Sequence, residues 1–311
     1  MRLSIVFLLS DAMQASETRI VNILSVQSWV AYGHVGNAAA LFPLQRLGAE
    51  VFAVNTVQFS NHPGYGDHAG RITGGDAVAE LLAGLERRGI LPGLDAVLSG
   101  YLGDAGSLDA VLGLVARARQ AHPGLLFCCD PVLGDRGPGV YVAPSLAEAL
   151  RHRAVPEADI LLPNMFELGF LLDGPDAQPQ ARDLATLARD AARLRARMRP
   201  GGLVLVTSVV LDNSPPGTVG LFLATPRGDH LLYTPELPAA FNGAGDLLSA
   251  LFLWGLLRSD GPARALDHAA SAVWCVLDHT AKQGAREPMV VQAQDQLLSP
   301  WRRFASVPAV P

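Results

Sequence analysis

The sequence predicts an α/β fold in which a mainly parallel sheet is covered by helices on both faces. Three observations carry that expectation. Short apolar runs alternate with longer stretches of helical period, the runs are continuous rather than polar at every second residue, and polar and glycine residues recur just past their ends. A strand covered on both faces has no solvent side, so its sequence reads as unbroken apolar. Strand–helix–strand alternation is the rhythm of crossover connections between parallel strands.

Taken in order, Ile20–Val26 reads as a first buried strand, Asn37–Leu47 as a helix and Val51–Val57 as a second strand. Gly75–Arg87 follows as a helix, Asp95–Leu98 as a strand and Leu108–Ala121 as a helix. Leu125–Cys129 and Asp159–Leu162 are further strands, then come the helix Ala181–Met198 and the strand Leu203–Thr207. Val219–Leu223 and His230–Tyr233 read as a closing hairpin or sheet edge, before the helices Asp246–Leu257 and Arg264–Thr280. The piece Gln58–Ile72 breaks the rhythm, being rich in Gly, His and aromatic residues; it reads either as a flap over a site or as a plain surface connection. Asp173–Gln180 is a polar, Pro-bearing loop. The rhythm resumes unchanged after it, so residues 20–311 are expected to be one domain. Residues 1–19 fit no element and are expected to be an irregular extension; the short run Ile5–Leu9 only superficially resembles a secretory signal.

Composition excludes several classes. Half of the 311 residues are hydrophobic and 17% are charged, too apolar for a disordered chain. Three Cys cannot staple a disulfide scaffold, and a net charge of −5 argues against electrostatic nucleic-acid binding. No apolar run reaches the ~20 residues that span a bilayer. Cys128 and Cys129 are adjacent in an apolar run and read as buried free thiols, consistent with a reducing cytoplasm. Lys282 is the only Lys, which removes lysine from almost any mechanism.

Open parallel sheets bind ligands beyond the carboxyl ends of their strands. In Phe241-Asn242-Gly243-Ala244-Gly245-Asp246, two glycines precede an acidic residue at the mouth of an apolar helix. Glycine lets backbone N–H groups approach an anion, and a helix start adds free N–H groups and a positive dipole end. Asp246 is then placed to take a proton from a hydroxyl, or else simply caps its helix. Cys129-Asp130-Pro131-Val132-Leu133-Gly134-Asp135 sets two carboxylates past a buried strand, as Mg²⁺ would need, or forms an ordinary turn. Leu162-Pro163-Asn164-Met165-Phe166-Glu167 and the hydroxyls of Thr207-Ser208 stand at two further strand ends. Glu167 there reaches metal-bound water or sits in a helix's first turn.

The chain resembles the ribokinase-like superfamily and, within it, the pyridoxal kinases. The residues that carry this are Leu24-Ser25-Val26-Gln27-Ser28, Tyr32 to Asn37 (YGHVGN), Phe42-Pro43-Leu44-Gln45, Asn55 to His62 (NTVQFSNH) and Leu98-Ser99-Gly100-Tyr101. DPVLGD, LPNMFEL and NGAGD follow in the family's order, over roughly Val21 to Thr280. The resemblance implies a three-layer sandwich and an ATP-dependent kinase acting on the 5′-hydroxymethyl group of pyridoxal. It implies Asp246 as base, Gly243, Ala244 and Gly245 as anion hole, and Ser28, Val35, Phe59, His62, Pro63 and Tyr101 around the vitamer. It assigns Mg²⁺ to Asp130, Asp135 and Glu167, and the nucleotide to Asp130, Asn164, Glu167, Thr207, Ser208, Gly243 and Gly245. It further implies a homodimer and a monovalent cation such as K⁺ near Asp130 and Thr207. Arg136 is a candidate for the phosphates.

Pro63 departs from the family pattern, which usually presents Thr there, and it removes both a hydroxyl and an N–H. That departure keeps two alternatives in view: a kinase for another hydroxymethyl heterocycle, such as the thiamin-precursor pyrimidine, or a vitamer-binding protein without catalysis. The stretch Tyr233 to Ala240, expected to face adenine, matches the pattern poorly.

Overall fold

The computed structural model describes residues 19–177, 182–258 and 261–309, so most of the N-terminal extension and the end of the Asp173–Gln180 loop lie outside the described residues. In chain order the main elements are β1 (Asn22–Val30), α1 (Asn37–Arg46), β2 (Glu50–Phe59), β3 (Gly70–Ile72), α2 (Gly75–Arg87), β4 (Ala96–Ser99), α3 (Ala105–Ala121) and β5 (Leu126–Cys129). The short ribbon β6 (Gly134–Asp135) and β7 (Gly139–Val140) precedes α4 (Pro144–Ala149), β8 (Ile160–Leu161), α5 (Met165–Asp173) and α6 (Leu184–Arg195). Then come β9 (Leu203–Val209), β10 (Thr218–Ala224), β11 (His230–Pro235), α7 (Ala244–Arg258), α8 (Pro262–Lys282), α9 (Asp295–Leu298) and β12 (Val307–Pro308).

Ten strands form one sheet in the order β12-β11-β10-β9-β8-β5-β4-β1-β2-β3. The run from β9 to β2 is parallel, and both edges are antiparallel. Alternate strand residues face opposite helical layers. Leu24, Val97, Phe127 and Cys129 pack with α2 to α6, whereas Ile23, Ala96, Leu98 and Cys128 pack with α1, α7 and α8. The adjacent cysteines therefore point through the sheet in opposite directions, both buried and both free. This is the expected α/β sandwich, and its fully buried strands explain the unbroken apolar runs. No helix among the described residues is long and apolar enough to cross a membrane.

The layer of α1, α7 and α8 is tightly packed. A Cβ on Gly255 in α7 would lie 3.0 Å from both Cα and Cβ of Ala265 in α8. Helix starts follow local chemistry: Asp104 accepts from Ser107 N–H at 2.7 Å and Asp183 from Thr186 N–H at 2.8 Å. Asp183 explains why α6 begins later than the apolar pattern suggested. Three expectations shift in detail. β1 runs on to Val30, so Ser28 lies within a strand rather than a loop, and Thr207 and Ser208 lie within β9. Gln58–Ile72 is neither a free flap nor a plain connection but the outer half of a hairpin, with Phe59 paired to Gly70 and Val57 to Ile72. Its tip carries a 3-10 turn over Pro63–Tyr65. Finally, α4 and α5 occupy stretches whose helical period was too short to read.

Candidate active site

The direction of strand succession reverses where β1 sits between β4 and β2, the position at which parallel sheets open a ligand crevice. A neutral buried network fixes this point. Ser25 Oγ donates to Asn37 Oδ1 at 2.7 Å, and Gln27 Nε2 donates to Ser25 Oγ at 2.9 Å. Asn37 Nδ2 reaches Asn55 Oδ1 at 2.8 Å and the Val54 carbonyl at 3.1 Å, tying the start of α1 to β2. Past Gln27 the β1–β2 register slips, with Gln27 opposite Asn55 but Trp29 opposite Gln58. Ser28 sits at that slip. Gly36 lies against it so closely that a Cβ there would fall 2.3 Å from Ser28 Oγ.

Gly36 links this point to Asp246. Its N–H donates to Asp246 Oδ2 at 2.8 Å, so the Asp246 carboxylate is engaged by a loop 210 residues away in sequence. Burial raises the Asp246 pKa and the Gly36 N–H opposes that rise. The preceding turn leaves no room for a side chain: at Gly243, φ +83°, a Cβ would lie 2.1 Å from the His34 carbonyl oxygen. One turn into α7, Ser249 Oγ contacts Asp130 Oδ2 at 2.5 Å and the Gly245 carbonyl at 2.9 Å. The glycine turn, Asp246 and the Asp130 loop thus meet at one place.

Asp130 is 7% exposed. Its pKa stands well above the ordinary carboxylate range, first because of burial and then because of the negative charges of Glu167 and Asp246; hydrogen bonds from Ser249 and the Val132 N–H oppose the rise. Val132 itself takes φ +32°, a left-handed conformation that costs a β-branched residue ~1–3 kcal/mol. Glu167 holds this loop in shape. Its Oε1 accepts from Leu133 N–H at 2.8 Å and Gly134 N–H at 3.4 Å, and its Oε2 accepts from Asn164 N–H at 2.9 Å. Asn164 Oδ1 accepts from Glu167 N–H in return, completing a reciprocal cap on α5. Burial pushes Glu167 up to about 7, against the pull of those three N–H groups. The Tyr141 phenol is also raised, by burial and then by Glu167, Asp130, Asp135 and Asp246. Asp135 is exposed, and its Oδ1 accepts from Arg136 N–H at 2.6 Å; Arg136 is likewise exposed.

Among the described residues no three His, Cys, Asp or Glu side chains gather closely enough to hold a metal by themselves. The donor set nevertheless fits Mg²⁺, which keeps waters and phosphates and needs only one or two carboxylates. A buried carboxylate whose proton affinity is raised by like charge is one that a cation would relieve.

On one side of this meeting point, Asn164 and Thr207 form an isolated parallel bridge, Asn164 Nδ2 donates to the Gly134 carbonyl at 2.9 Å, and Ser208 takes φ +55°. A cavity of about 190 Å³ opens there, lined by Thr207, Ser208, Thr234, Ala244, Gly245 and Trp274 among others. Trp274 is thus a wall of this cavity as well as a core residue. Thr234 is the contribution of the poorly matched 233–240 stretch.

On the other side, Val35 is buried, its Cγ1 3.2 Å from where a Gly243 Cβ would stand. His62 Nδ1 caps the Pro63–Tyr65 turn by accepting from Gly64 N–H at 3.1 Å. A Cβ on Gly64 would lie 3.5 Å from Asn242 Nδ2, so this turn reaches the segment that precedes Gly243. Burial, then Arg286 and His68, lower the His62 pKa. The Phe59 and His68 rings meet at a tilt of 58°, their centroids 4.7 Å apart. The Tyr101 carbonyl accepts from Thr56 Oγ1 at 2.6 Å, and burial raises its phenol pKa.

Three participants were not singled out from sequence: Gly36 as a donor to Asp246, Ser249 and Glu287. Ser249 had a signal, a lone hydroxyl one turn past Asp246 in an apolar helix. Glu287 had none, since its bond to His34 N–H spans 253 residues.

The family model of phosphomethylpyrimidine kinases matches residues 93–290 of this chain. The chain is 49% identical over 283 residues to pyridoxal kinase PdxY of Granulibacter bethesdensis, covering 90% of this chain and 97% of that protein. It is 48% identical over 289 residues to pyridoxal kinase PdxY of Deinococcus radiodurans, covering 92% and 95%. Among solved structures, the pyridoxal kinase of Leishmania donovani in complex with ADP and pyridoxamine superposes with a TM-score of 0.83 at 28% identity, covering 93% of this chain and 99% of that one. On sequence and structure together, the chain belongs to the pyridoxal kinase family.

Proposed function

We propose that this chain transfers the γ-phosphoryl group of ATP to the 5′-hydroxymethyl oxygen of pyridoxal, giving pyridoxal 5′-phosphate and ADP. The observation that carries the reading is the position of Asp246. It stands at the start of α7, beside the Gly243–Gly245 turn, next to the Asp130 loop, and bonded through Gly36 to the wall that holds Ser28.

In the reaction, the vitamer's hydroxyl oxygen bonds to the γ-phosphorus while the bridging β,γ oxygen leaves with ADP. Asp246 takes the hydroxyl proton as that bond forms, and its raised proton affinity makes it a better base than an exposed carboxylate. The N–H groups at the start of α7 face the transferring group with the positive end of the helix dipole. Catalysis is then mainly alignment of acceptor and donor. Asp130, with Glu167 and Asp135 behind and beside it, would hold Mg²⁺, which neutralises phosphate charge when bound. Thr207, Ser208 and Asn164 border the nucleotide cavity, and a K⁺ ion near Asp130 and Thr207 belongs to the same reading. Ser28, Val35, Phe59, His62, Pro63 and Tyr101 supply the vitamer pocket. The unit is residues 20–311, acting as a cytoplasmic homodimer, which analytical ultracentrifugation of the purified chain tests.

A second reading is favoured by Pro63, which offers the substrate no hydroxyl or N–H: a preference for another hydroxymethyl heterocycle. Comparing kcat/KM for pyridoxal, pyridoxine, pyridoxamine and the thiamin-precursor pyrimidine decides between the two. Pyridoxal turnover with Mg-ATP, lost in Asp246→Asn, is the expected outcome; a wild-type rate in that variant refutes the role of Asp246.

A further inference from the structure

Beyond the residues so far given roles, one buried carboxylate stands between two loops on the acceptor side. Glu287, in the segment after α8, is 4% exposed. Its Oε2 accepts the His34 N–H at 2.5 Å, and it approaches so closely that a Cβ on Gly33 would lie 1.6 Å from that oxygen. Two residues further on, the same loop presents the Gly36 N–H to Asp246. Glu287 also interacts with the Tyr65 phenol at the hairpin tip, while its Oε1 is buried and accepts no hydrogen bond of ordinary geometry. Its neighbour Arg286 lies 5.0 Å over the Tyr65 ring, and Tyr32 meets that ring edge-on at 5.9 Å. The Arg286 carbonyl accepts the Asn242 N–H at 3.1 Å, immediately before the glycine turn. The segment is itself anchored to α8, with Met289 N–H on Thr280 Oγ1 at 3.0 Å and Ala285 N–H on the Thr280 carbonyl at 3.2 Å.

We propose that Glu287 is a positioning residue that clamps the 32–36 loop and the 63–65 turn to the start of the Asp246 helix, and so sets affinity for the vitamer rather than for ATP. This rests on the kinase reading only in naming the pocket's occupant. A buried anion bonded to a backbone N–H and facing a phenol organises both loops at once; its loss frees them together, and the ordering cost then falls on substrate binding. The charged and titratable groups around it are Arg286, Tyr65, His34 and Asp246.

The test is steady-state kinetics of Glu287→Ala, Glu287→Gln and Tyr65→Phe, with equilibrium dialysis of pyridoxal in parallel. In Glu287→Ala, KM and Kd for pyridoxal should rise about 10- to 100-fold, while KM for ATP stays within about twofold. Glu287→Gln, which can still accept from His34, should fall between. Tyr65→Phe should raise the vitamer Kd severalfold, and its effect should shrink when added to Glu287→Gln. An equal rise in both substrates' KM, or a vitamer Kd unchanged in Glu287→Gln and additive with Tyr65→Phe, overturns the clamp. If Glu287→Ala does not fold, those last two variants decide alone. A wild type that binds pyridoxal without phosphorylating it refutes the kinase reading, while the dialysis comparison still judges the clamp.

Discussion

Around Ser28 the polar groups are neutral and bonded to one another; around Asp130 they are anionic and crowded. Ser25, Gln27, Asn37 and Asn55 trade hydrogen bonds within the sheet's interior, with Gln27 Oε1 left over against Gly100. Burial raises the proton affinity of Asp130, Glu167 and Asp246, the charges of Glu167 and Asp246 add to the rise at Asp130, and the opposition comes from backbone N–H groups and Ser249. A neutral network can shape a pocket for an aromatic ring without attracting ions. A buried cluster of carboxylates is poised for cations and for the charge that moves in phosphoryl transfer. On the proposed function, the division delegates binding shape and reaction electrostatics to different walls, with Gly36 as the bridge.

The largest expected effect tests the anionic wall. Asp246→Asn should lower kcat by ~10²–10⁴ with little change in vitamer KM, measured by pyridoxal phosphate formation. Asn37→Ala tests the neutral wall. It strips partners from Ser25, Asn55 and the Val54 carbonyl, and should cost about 2–5 kcal/mol in denaturant unfolding while leaving kcat per folded molecule nearly intact. A large kcat loss there would erase the division.

Smaller still is a pH effect. Glu167 in the fold titrates at about 7 against an ordinary 4.5, so the folded state holds its proton more tightly than the unfolded one. That favours folding at low pH and is lost as pH rises through this window. Relative to Glu167→Gln, the wild type should lose about 1–3 kcal/mol of stability between pH 4.5 and 7, seen in parallel melts. Mg-ADP at saturation should shrink the difference. The smallest change is Pro63→Thr, which restores a hydroxyl at the hairpin tip and should lower the vitamer KM by about two- to tenfold.

Much of the architecture was legible because the central strands β1, β4, β5 and β8 are buried on both faces and carry their own apolar runs. Strand ends were harder. Trp29 and Val30 extend β1 through pairing with β2, which a window of local sequence does not contain. The short helix α5 is set by the reciprocal Asn164–Glu167 cap rather than by any long apolar period. Within the site, Asp246 stood out because its glycines are its chain neighbours. The Gly36 donor and Glu287 did not, since their partners come from the far end of the chain.

The close seating of Gly255 on Ala265 has a mechanical corollary. A helix locked against its neighbour at backbone distance cannot slide or tilt without opening a gap along its length. Asp246 at its tip, the proposed base, is therefore a fixed reference, and any closure during turnover is left to the thin connections around it. On the proposed mechanism the alcohol travels to a stationary proton acceptor, and a bulkier residue at position 255 would blunt the rate from some ten residues away by displacing that landmark.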